Sequence, residues 1–301
     1  MERDNILYKI RRKGQVIAHK LFSDKTMCKF YSRILLKKKV DLDNPKTFNE
    51  KVQWLKINDY PNNELVIQCA DKYRVRQYIE KKGYGDILVP LVGDWENTDE
   101  IVWEKLPSQF VLKCSHGCAY NIPVNDKNKV NEADIKKQLK RWMREDFGAY
   151  NIEPHYSKIK PHITCEQYLG DCITDYKFFC FNGKPKYMYV SSDLIHDRQA
   201  QIGFFYLDGT KMPLIRDDYE SMSIDKLPEF FSEMKETAAR LSEDFPFVRV
   251  DFFIANGIYY FAELTFSPSA GMMPFNPEKY DLEWGNELDI SEEMRKIGEN
   301  K

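Results

Sequence analysis

The amino-terminal part of the chain has the spacing of apolar and polar residues that is typical of helices. Residues 1–60 are predicted to be helical, and the last helix of this region begins at Thr47. Thr47 is followed three positions later by Glu50, which is the spacing of a capping box. A second helix is predicted over residues 70–83, where Gly83 favours its end.

Two more amphipathic helices are predicted further along. Apolar residues recur at helical spacing over residues 132–147 and again over residues 226–243. Short apolar runs at residues 86–93 and 110–114 are instead typical of buried strands.

Strands dominate the pattern from residue 162 onward. The segment HITCEQYL (residues 162–169) predicts one strand, and Asn182-Gly183 and Asn256-Gly257 each lie between two strand-like runs, which predicts two hairpins. Helices followed by antiparallel strands around one helix indicate an α+β fold.

The second hairpin concentrates charge on one face of a sheet. Alternate residues of a strand share a face, so Arg249 and Asp251 point away from the apolar set Val248, Val250, Phe252 and Ile254. A two-residue turn would put Asp251 and Glu263 on opposite faces. A three-residue turn over residues 255–257 would pair Arg249 with Glu263 and gather every charge on one face, so we predict the three-residue turn.

Two carboxylates this close repel each other unless a cation lies between them. Oxygen ligands suit Mg²⁺, which typically takes one or two protein carboxylates and completes its shell with phosphate and water. Asp251 and Glu263 are therefore candidate magnesium ligands. A surface ion cluster around Arg249 is the alternative interpretation of the same residues.

Composition indicates a globular protein with a large core. The chain has 301 residues, 43% of them hydrophobic, and a formal net charge of −2, so it lacks the basic excess of a nucleic-acid-binding protein. Residues 1–40 nevertheless contain twelve Lys or Arg and three Asp or Glu. This stretch is most simply interpreted as a solvated helical surface, and the alternative is that it faces an anionic lipid or an acidic polymer.

Cysteine usage and the amino-terminal segment indicate a cytoplasmic location. The seven cysteines include no CxxC pair, which favours a reducing compartment over disulfides or a zinc ribbon. Charges interrupt the start of the chain, so no signal peptide is expected, and no segment approaches the ~20 apolar residues of a membrane span. We expect a cytoplasmic protein that is at most peripheral to the inner face of a membrane.

A lysine and a small-residue loop form a second candidate site. Lys113 ends the strand FVLKC and is followed by a loop around Gly117, an arrangement that can hold phosphate through backbone N–H groups and one charge. His116 has no nearby acid or nucleophile and is expected to shape this loop or to contact phosphate. The remaining histidines, His19, His155, His162 and His196, lack metal-ligand spacing.

These segments, in this order, resemble the ATP-grasp superfamily. The resemblance is closest to its branch associated with teichuronopeptide biosynthesis (TupA-like), whose members often accompany capsule or surface-polysaccharide genes. It covers most of the chain, from NPKTFNEKVQWLK through ADKYRVRQYIEKKG, FVLKCSHG, KIKPHITCEQYL, DYKFFCFNGKP and RVDFF to ELTFSPSAG. It implies two α+β subdomains that clasp ATP.

The resemblance also implies roles for individual residues. Lys72 and Lys113 would contact the nucleotide, and residues 115–119, including Ser115, His116 and Gly117, would form the lid over its phosphates. The hinge that meets adenine and ribose would be Glu166, Gln167, Tyr168 and Leu169, with Asp175 and Lys177 lining the site. Arg249 would stabilise the transferring phosphate, and Mg²⁺ would bind Asp251, Glu263 and Thr265, although the superfamily commonly has Asn where this chain has Thr265.

The same resemblance divides the chain into four parts. A basic helical region covers residues 1–60, and a first ATP-grasp subdomain with the lysines and the lid covers residues 61–165. A second subdomain with the hinge and the magnesium hairpin covers residues 166–285, and residues 286–301 form a tail.

The implied activity is an ATP- and Mg²⁺-dependent ligation of a carboxylate to an amine through an acyl phosphate, on a small molecule or a surface glycan. Two alternatives stay open. One is another polysaccharide-biosynthesis enzyme, such as a grasp-fold kinase or a glycosyltransferase, although Asp217-Asp218 lacks the context of a DxD motif. The other is a non-catalytic nucleotide-binding protein.

Overall fold

The computed structural model describes residues 6–171, 173–192, 200–216 and 219–299. Cys172, His196 and Asp217-Asp218 lie outside the described residues. The chain starts with three helices, α1 (Ile6–Leu21), α2 (Asp24–Leu35) and α3 (Phe48–Asn58). The capping box predicted for α3 is confirmed: the Thr47 side chain accepts from the Glu50 N–H, and the Glu50 carboxylate accepts from the Thr47 N–H.

The helix predicted over residues 70–83 is shorter than expected. The structure has α4 (Glu64–Ala70) and then α5 (Val75–Lys81). The Asp71 carboxylate accepts from the N–H groups of Tyr73 and Arg74, and this turn delays the start of α5. The chain leaves the helix at Gly83, whose φ of +87° fits a glycine stop.

The first sheet has four antiparallel strands in the order β1-β4-β2-β3. The strands are β1 (Leu91–Trp95), β2 (Phe110–Cys114), β3 (Asn121–Val124) and β4 (Ile163–Gln167). β2 and β4 confirm two predicted strands, whereas the strand predicted over residues 86–93 begins only at Leu91, after Pro90.

The helix predicted over residues 132–147 ends early, as α6 (Glu132–Trp142), and a separate short helix follows, α7 (Gly148–Asn151). A Cβ at Gly148 would lie 2.6 Å from the Glu153 carbonyl oxygen, so the chain folds tightly back on itself there. The Asp146 carboxylate accepts from the Ala149 N–H and starts the new turn.

The second sheet has six strands in the order β10-β9-β5-β6-β7-β8, antiparallel except for the β7–β8 pair. They are β5 (Thr174–Phe181), β6 (Lys184–Ser192), β7 (Gln201–Tyr206), β8 (Glu220–Ser221), β9 (Phe247–Ala255) and β10 (Ile258–Thr265). Both predicted hairpins are present. The helix predicted over residues 226–243 is α8 (Phe231–Ser242), which begins after Pro228 because proline disfavours helical backbone in the preceding residue.

The predicted three-residue turn of the second hairpin is wrong. Ala255 pairs with Ile258, so the turn is the two-residue Asn256-Gly257, with φ of +53° and +75°. A bulge at Ala262 then shifts the register by one residue. Glu263 consequently pairs with Asp251, and not with Arg249 as predicted. The bulge achieves the separation of charged and apolar faces that the longer turn was expected to provide.

Two carboxyl-terminal helices follow the second sheet, α9 (Lys279–Glu287) and α10 (Ser291–Glu299). Of these, α9 packs against α3. The α3 residue Phe48 is fully buried and its ring centroid lies 4.9 Å from that of Phe247 in β9 and 5.6 Å from that of Trp284 in α9. One aromatic core therefore joins the first helices, the second sheet and α9. None of the helices in the described ranges is long and apolar enough to cross a membrane.

Candidate active site

Three neighbouring strands of the second sheet place charged side chains in one row. Lys177 of β5 pairs with Asp251 of β9, and Asp251 pairs with Glu263 of β10. Directly paired residues of antiparallel strands point to the same face of a sheet. Arg249 and Thr265, which pair with each other two positions along, share that face. The predicted cluster of charges is therefore present, and it extends to a third strand.

The Asp251 carboxylate is the centre of this cluster. It has no exposed surface, and both of its oxygens accept hydrogen bonds from Arg249: Nε to Oδ1 at 2.7 Å and Nη2 to Oδ2 at 2.6 Å. Lys177 Nζ donates to Asp251 Oδ2 at 3.1 Å and to Asp175 Oδ1 at 3.1 Å. Asp251 thus forms ion pairs with two cations, and these pairs offset part of the cost of burying the three groups.

Glu263 binds a third cation, which comes from outside the sheet. Lys72 lies between α4 and α5, and its Nζ is 3.0 Å from Glu263 Oε2. The Thr265 hydroxyl accepts from Arg249 Nη2 at 3.1 Å and lies 3.3 Å from Glu263 Oε1, to which it donates. Thr265 therefore orients the Glu263 carboxylate in this structure.

The charges in the cluster stabilise one another. Burial alone would raise the pKa of Glu263, but Lys72, Lys177 and Arg249 lower it to about 2. Burial alone would lower the pKa of Lys177 and of Lys72, yet Asp251 and Asp175 raise the first and Glu263 raises the second. Three cationic side chains accordingly face three carboxylates, and the cluster is formally neutral.

The second predicted lysine has a different partner. Lys113 of β2 forms an ion pair with Glu166 of β4, which is one of the predicted hinge residues. Lys113 pairs with Thr164 in the sheet, so Glu166 is its diagonal neighbour on the same face. The first sheet is nevertheless tied to the cluster, because the Lys72 N–H donates to the Ser115 carbonyl oxygen at 3.2 Å.

The predicted lid is largely packed into the protein. Ser115 and His116 are buried, and His116 Nε2 lies 3.0 Å from the Trp142 carbonyl oxygen. A Cβ at Gly117 would lie 2.7 Å from the Tyr120 ring and 2.9 Å from the Phe147 ring, so close packing against aromatic rings requires glycine here. Only residues 118 and 119 of this loop are exposed.

Of the predicted hinge residues, Glu166 and Gln167 lie in β4, whereas Tyr168 and Leu169 lie in the link between the two sheets. β4 ends at Gln167 and β5 begins at Thr174, so residues 168–173 form the covalent link between the sheets. The Gln167 N–H donates to the carbonyl oxygen of Pro90, just before β1 of the first sheet, at 3.0 Å. The Leu169 carbonyl oxygen accepts from Nδ2 of Asn256, in the β9–β10 turn of the second sheet, at 3.3 Å. Tyr168 donates a hydrogen bond to Asp171.

Residues near the cluster that the sequence did not indicate lie after β10. Ser267 donates to the buried Glu153 carboxylate at 2.6 Å, and the fully buried Lys56 Nζ donates to the Ala270 carbonyl oxygen at 2.7 Å. They fix the loop that follows Thr265, where Ser269 and Ala270 have positive φ. No motif indicates these contacts, because they join segments more than a hundred residues apart.

Carboxylate oxygens are the ligands that Mg²⁺ prefers, so the donor chemistry of Asp251 and Glu263 fits this ion. Two carboxylates alone do not enclose a metal. Across the described ranges, no group of three or more His, Cys, Asp or Glu side chains is arranged to hold a metal ion. Any further ligands would have to come from a bound molecule with oxygen atoms, such as a phosphate chain.

Two sheets joined by the linker of residues 168–173, with Lys72 from the first half facing the carboxylates of the second sheet, have the architecture of the ATP-grasp fold. Residues 50–289 match the family described as TupA-like ATPgrasp. The chain belongs to the TupA-like ATP-grasp family.

Solved structures with similar folds include several ligases. A D-alanine–D-alanine ligase from Bacillus anthracis has a TM-score of 0.44 and 15% identity, with 78% of this chain and 70% of that one covered. The same enzyme complexed with ATP has a TM-score of 0.40 and 13% identity over 66% of this chain and 55% of that one. An L-amino acid ligase from Bacillus licheniformis has a TM-score of 0.42 and 13% identity over 68% and 44%. Among curated protein sequences, none matches the chain.

Proposed function

We propose that this protein is an ATP- and Mg²⁺-dependent carboxylate–amine ligase. The observation that carries the proposal is the cluster in which Lys72, Lys177 and Arg249 surround the paired carboxylates Asp251 and Glu263. Concentrated cations bind a polyphosphate, and paired carboxylates suit the divalent ion that accompanies it. Membership of the ATP-grasp family supports the same activity.

The nucleotide would lie between the two halves of the protein. Lys72 and Lys113 would contact its phosphates from the first half, under the loop of Ser115, His116 and Gly117. Adenine and ribose would meet Glu166, Gln167, Tyr168 and Leu169, since this linker touches both sheets. Asp175 would complete the wall beside Lys177.

The proposed reaction has two steps. A substrate carboxylate oxygen attacks the γ-phosphorus of ATP, a new P–O bond forms, and the bond to the β-phosphate oxygen breaks to release ADP. The amine nitrogen then attacks the acyl carbon of the acyl phosphate, a C–N bond forms, and inorganic phosphate leaves with the electron pair of the broken C–O bond. The amine loses one proton, and no side chain has to act as a nucleophile.

The cationic side chains stabilise the charge that develops during the first step. Arg249 and Lys113 would offset charge on the transferring phosphoryl group, which is the largest contribution a protein makes to such a reaction. Asp251, Glu263 and Thr265 would hold Mg²⁺, which when bound neutralises phosphate charge. Because three cations already face these carboxylates, we expect the ion to bind together with the nucleotide and weakly alone.

The carboxylate substrate is proposed to be a uronic acid or an amino acid that becomes part of a surface polysaccharide such as a capsule. The branch of the superfamily to which the chain belongs supports this proposal. The amine would be a small molecule or a glycan amine, and we propose that the reaction takes place in the cytoplasm, where ATP is made.

Thermal unfolding in the presence of nucleotides tests whether the protein binds ATP and Mg²⁺. ATP with Mg²⁺ should raise the melting temperature, because a ligand at 100 times its Kd stabilises the folded state by about 2.7 kcal/mol. Mg²⁺ alone should have little effect. A larger shift with a UDP-sugar than with any adenine nucleotide would instead support the glycosyltransferase alternative.

Substitution of Glu263 tests its role as a magnesium ligand and the proposed ligase activity. Glu263→Gln should reduce substrate-dependent ADP release by about 100-fold or more, as expected when one polar stabilising group is removed from an active site. Glu229→Gln is the matched control, because Glu229 is exposed and has no ion-pair partner among the described side chains. Full activity in Glu263→Gln would refute the metal assignment. ADP release without phosphate release or amide formation would favour a kinase.

A further inference from the structure

The first helix exposes an apolar stripe to solvent. Ile10, Ile17 and Leu21 are 61%, 58% and 71% exposed. Their separations of seven and four residues place them on one side of α1. The opposite side of the helix faces the protein, where Gln15 is buried and the Arg12 guanidinium lies 4.2 Å from the Tyr150 ring centroid. Packing of α1 against the rest of the protein therefore does not explain the apolar stripe on its exposed side.

The second helix also exposes large apolar side chains. Phe30 and Ile34, one helical turn apart in α2, are 55% and 54% exposed, and Leu35 at the end of α2 and Phe22 between α1 and α2 are 53% and 55% exposed. Seven of the thirteen exposed large apolar side chains of the described residues thus lie within residues 10–35. The other six are scattered between Val92 and Leu282. A concentration of this kind marks an interaction surface.

Basic side chains accompany the exposed apolar ones. Between residues 10 and 39, Asp24 is the only acidic residue. Several basic side chains here have no carboxylate partner among the described residues, namely Lys13, Lys20, Arg33, Lys37 and Lys39. We call the exposed apolar residues of α1 and α2, together with these five basic residues, the N-terminal surface.

We propose that the N-terminal surface binds the anionic face of a lipid bilayer. Apolar side chains enter the boundary between headgroups and acyl chains while lysine and arginine contact anionic headgroups, which is how amphipathic helices bind membranes. A soluble acidic polymer would satisfy the charges but leave the apolar stripe in water. A second copy of this chain would bring the same positive charge to the contact. With no membrane-crossing helix among the described residues, the protein would lie on the bilayer surface.

Co-sedimentation of the full chain with vesicles tests this proposal. The protein should sediment with vesicles of phosphatidylcholine and phosphatidylglycerol and stay in solution with phosphatidylcholine alone. Lys37→Gln with Lys39→Gln should weaken binding by about tenfold or more, since each basic residue near an anionic surface contributes about fivefold. Ile17→Ser with Leu21→Ser should also weaken binding by at least about tenfold.

Matched substitutions outside the N-terminal surface test whether vesicle binding depends on this surface or on the number of lysines and exposed apolar side chains in general. Lys105→Gln with Lys226→Gln removes two exposed lysines, and Val102→Ser with Leu282→Ser removes two exposed apolar side chains. Neither pair should change vesicle binding.

Three results would overturn the proposal. Equal binding to neutral and anionic vesicles would show that charge does not matter. Binding that depends on the lysines alone, and that soluble polyglutamate abolishes, would identify an acidic polymer as the occupant. A dimer in sedimentation equilibrium that Ile17→Ser with Leu21→Ser dissociates, without vesicle binding, would identify a second copy of the chain.

Discussion

At the scale of single residues, the Asp251 carboxylate is important both for the stability of the fold and for the proposed activity. Asp251 is fully buried and accepts three hydrogen bonds from Arg249 and Lys177. Removing one member of a buried ion pair leaves the other charge uncompensated, at a cost of about 3–5 kcal/mol. An Asp251→Asn variant would therefore lose stability as well as activity. Glu263, whose side chain is 28% exposed, separates the two effects better.

The pKa of Glu263 predicts how acid weakens the protein. The pKa is about 2 in the folded chain, against an ordinary value of 4.5. A depressed folded-state pKa contributes stability that is present above the unfolded-state pKa and is lost as the pH falls towards the folded-state pKa. The free energy of unfolding of the wild-type protein should therefore fall towards that of Glu263→Gln as the pH falls from 4.5 to about 2.

Urea unfolding of both proteins across this range measures the difference directly. Glu229→Gln serves as the control and should follow the wild-type curve at every pH. A constant gap between wild type and Glu263→Gln would contradict the assigned pKa.

At the scale of elements, local signals predicted several features, but the local turns at Asp71 and Asp146 that shorten two predicted helices were missed. The capping box of Thr47 and Glu50 and the hairpins at Asn182-Gly183 and Asn256-Gly257 are local features and are present, although the second turn has two residues and not the predicted three. The bulge at Ala262 could not be predicted, because it depends on which residues of β9 and β10 pair. The Lys177–Asp251 pair likewise depends on β5 lying beside β9, because the two residues are 74 positions apart in the chain.

The turn of the second hairpin should respond to substitution through its backbone alone. Gly257 has a φ of +75°, and no atom lies within 4 Å of the position that a Cβ would occupy. Gly257→Ala should therefore destabilise the protein by about 1–2 kcal/mol, the cost of a left-handed conformation for a residue with a Cβ.

Gly298→Ala is the matched control, because its added Cβ also meets open space but the residue lies in α10. It should leave stability unchanged or raise it by up to about 1 kcal/mol. Chemical denaturation of the two variants should give opposite signs, and equal losses would exclude a backbone effect specific to the turn.

At the scale of the whole molecule, the amino-terminal helices are part of the structure that supports the candidate active site. Lys56 of α3 reaches the Ala270 carbonyl oxygen beyond β10, and Asn49 contacts Met273 through two hydrogen bonds. Gly285 of α9 is so close to α3 that a Cβ would lie 2.2 Å from the Lys46 carbonyl oxygen. The sequence predicted the amino-terminal helices but neither α9 nor these long-range contacts, since buried lysines have no distinctive pattern.

Lys56→Met tests how strongly this connection stabilises the fold. Burial raises the pKa of Glu153, and the nearby Lys56 charge opposes that rise, so removing Lys56 takes away this compensation as well as the hydrogen bond to the Ala270 carbonyl oxygen. We expect a loss of about 3–5 kcal/mol in the free energy of unfolding.

A double-mutant cycle with Glu153→Gln identifies the cause. The double variant should be more stable than the sum of the single losses predicts, because neither charge is then left alone. Lys105→Met, at an exposed lysine, should change stability by less than about 0.5 kcal/mol. Strictly additive losses at positions 56 and 153 would show that the two side chains do not interact.

The bulge at Ala262 also affects how this site should be recognised in related sequences. In a regular two-residue hairpin, the residue at position 262 would face Asp251. A relative that lacks one residue between Gly257 and Glu263 would therefore still place its glutamate opposite the aspartate, on the same face. A one-residue gap at this point of an alignment is compatible with an intact carboxylate pair. Pairing across the strands, and not the number of residues between the two carboxylates, defines the site.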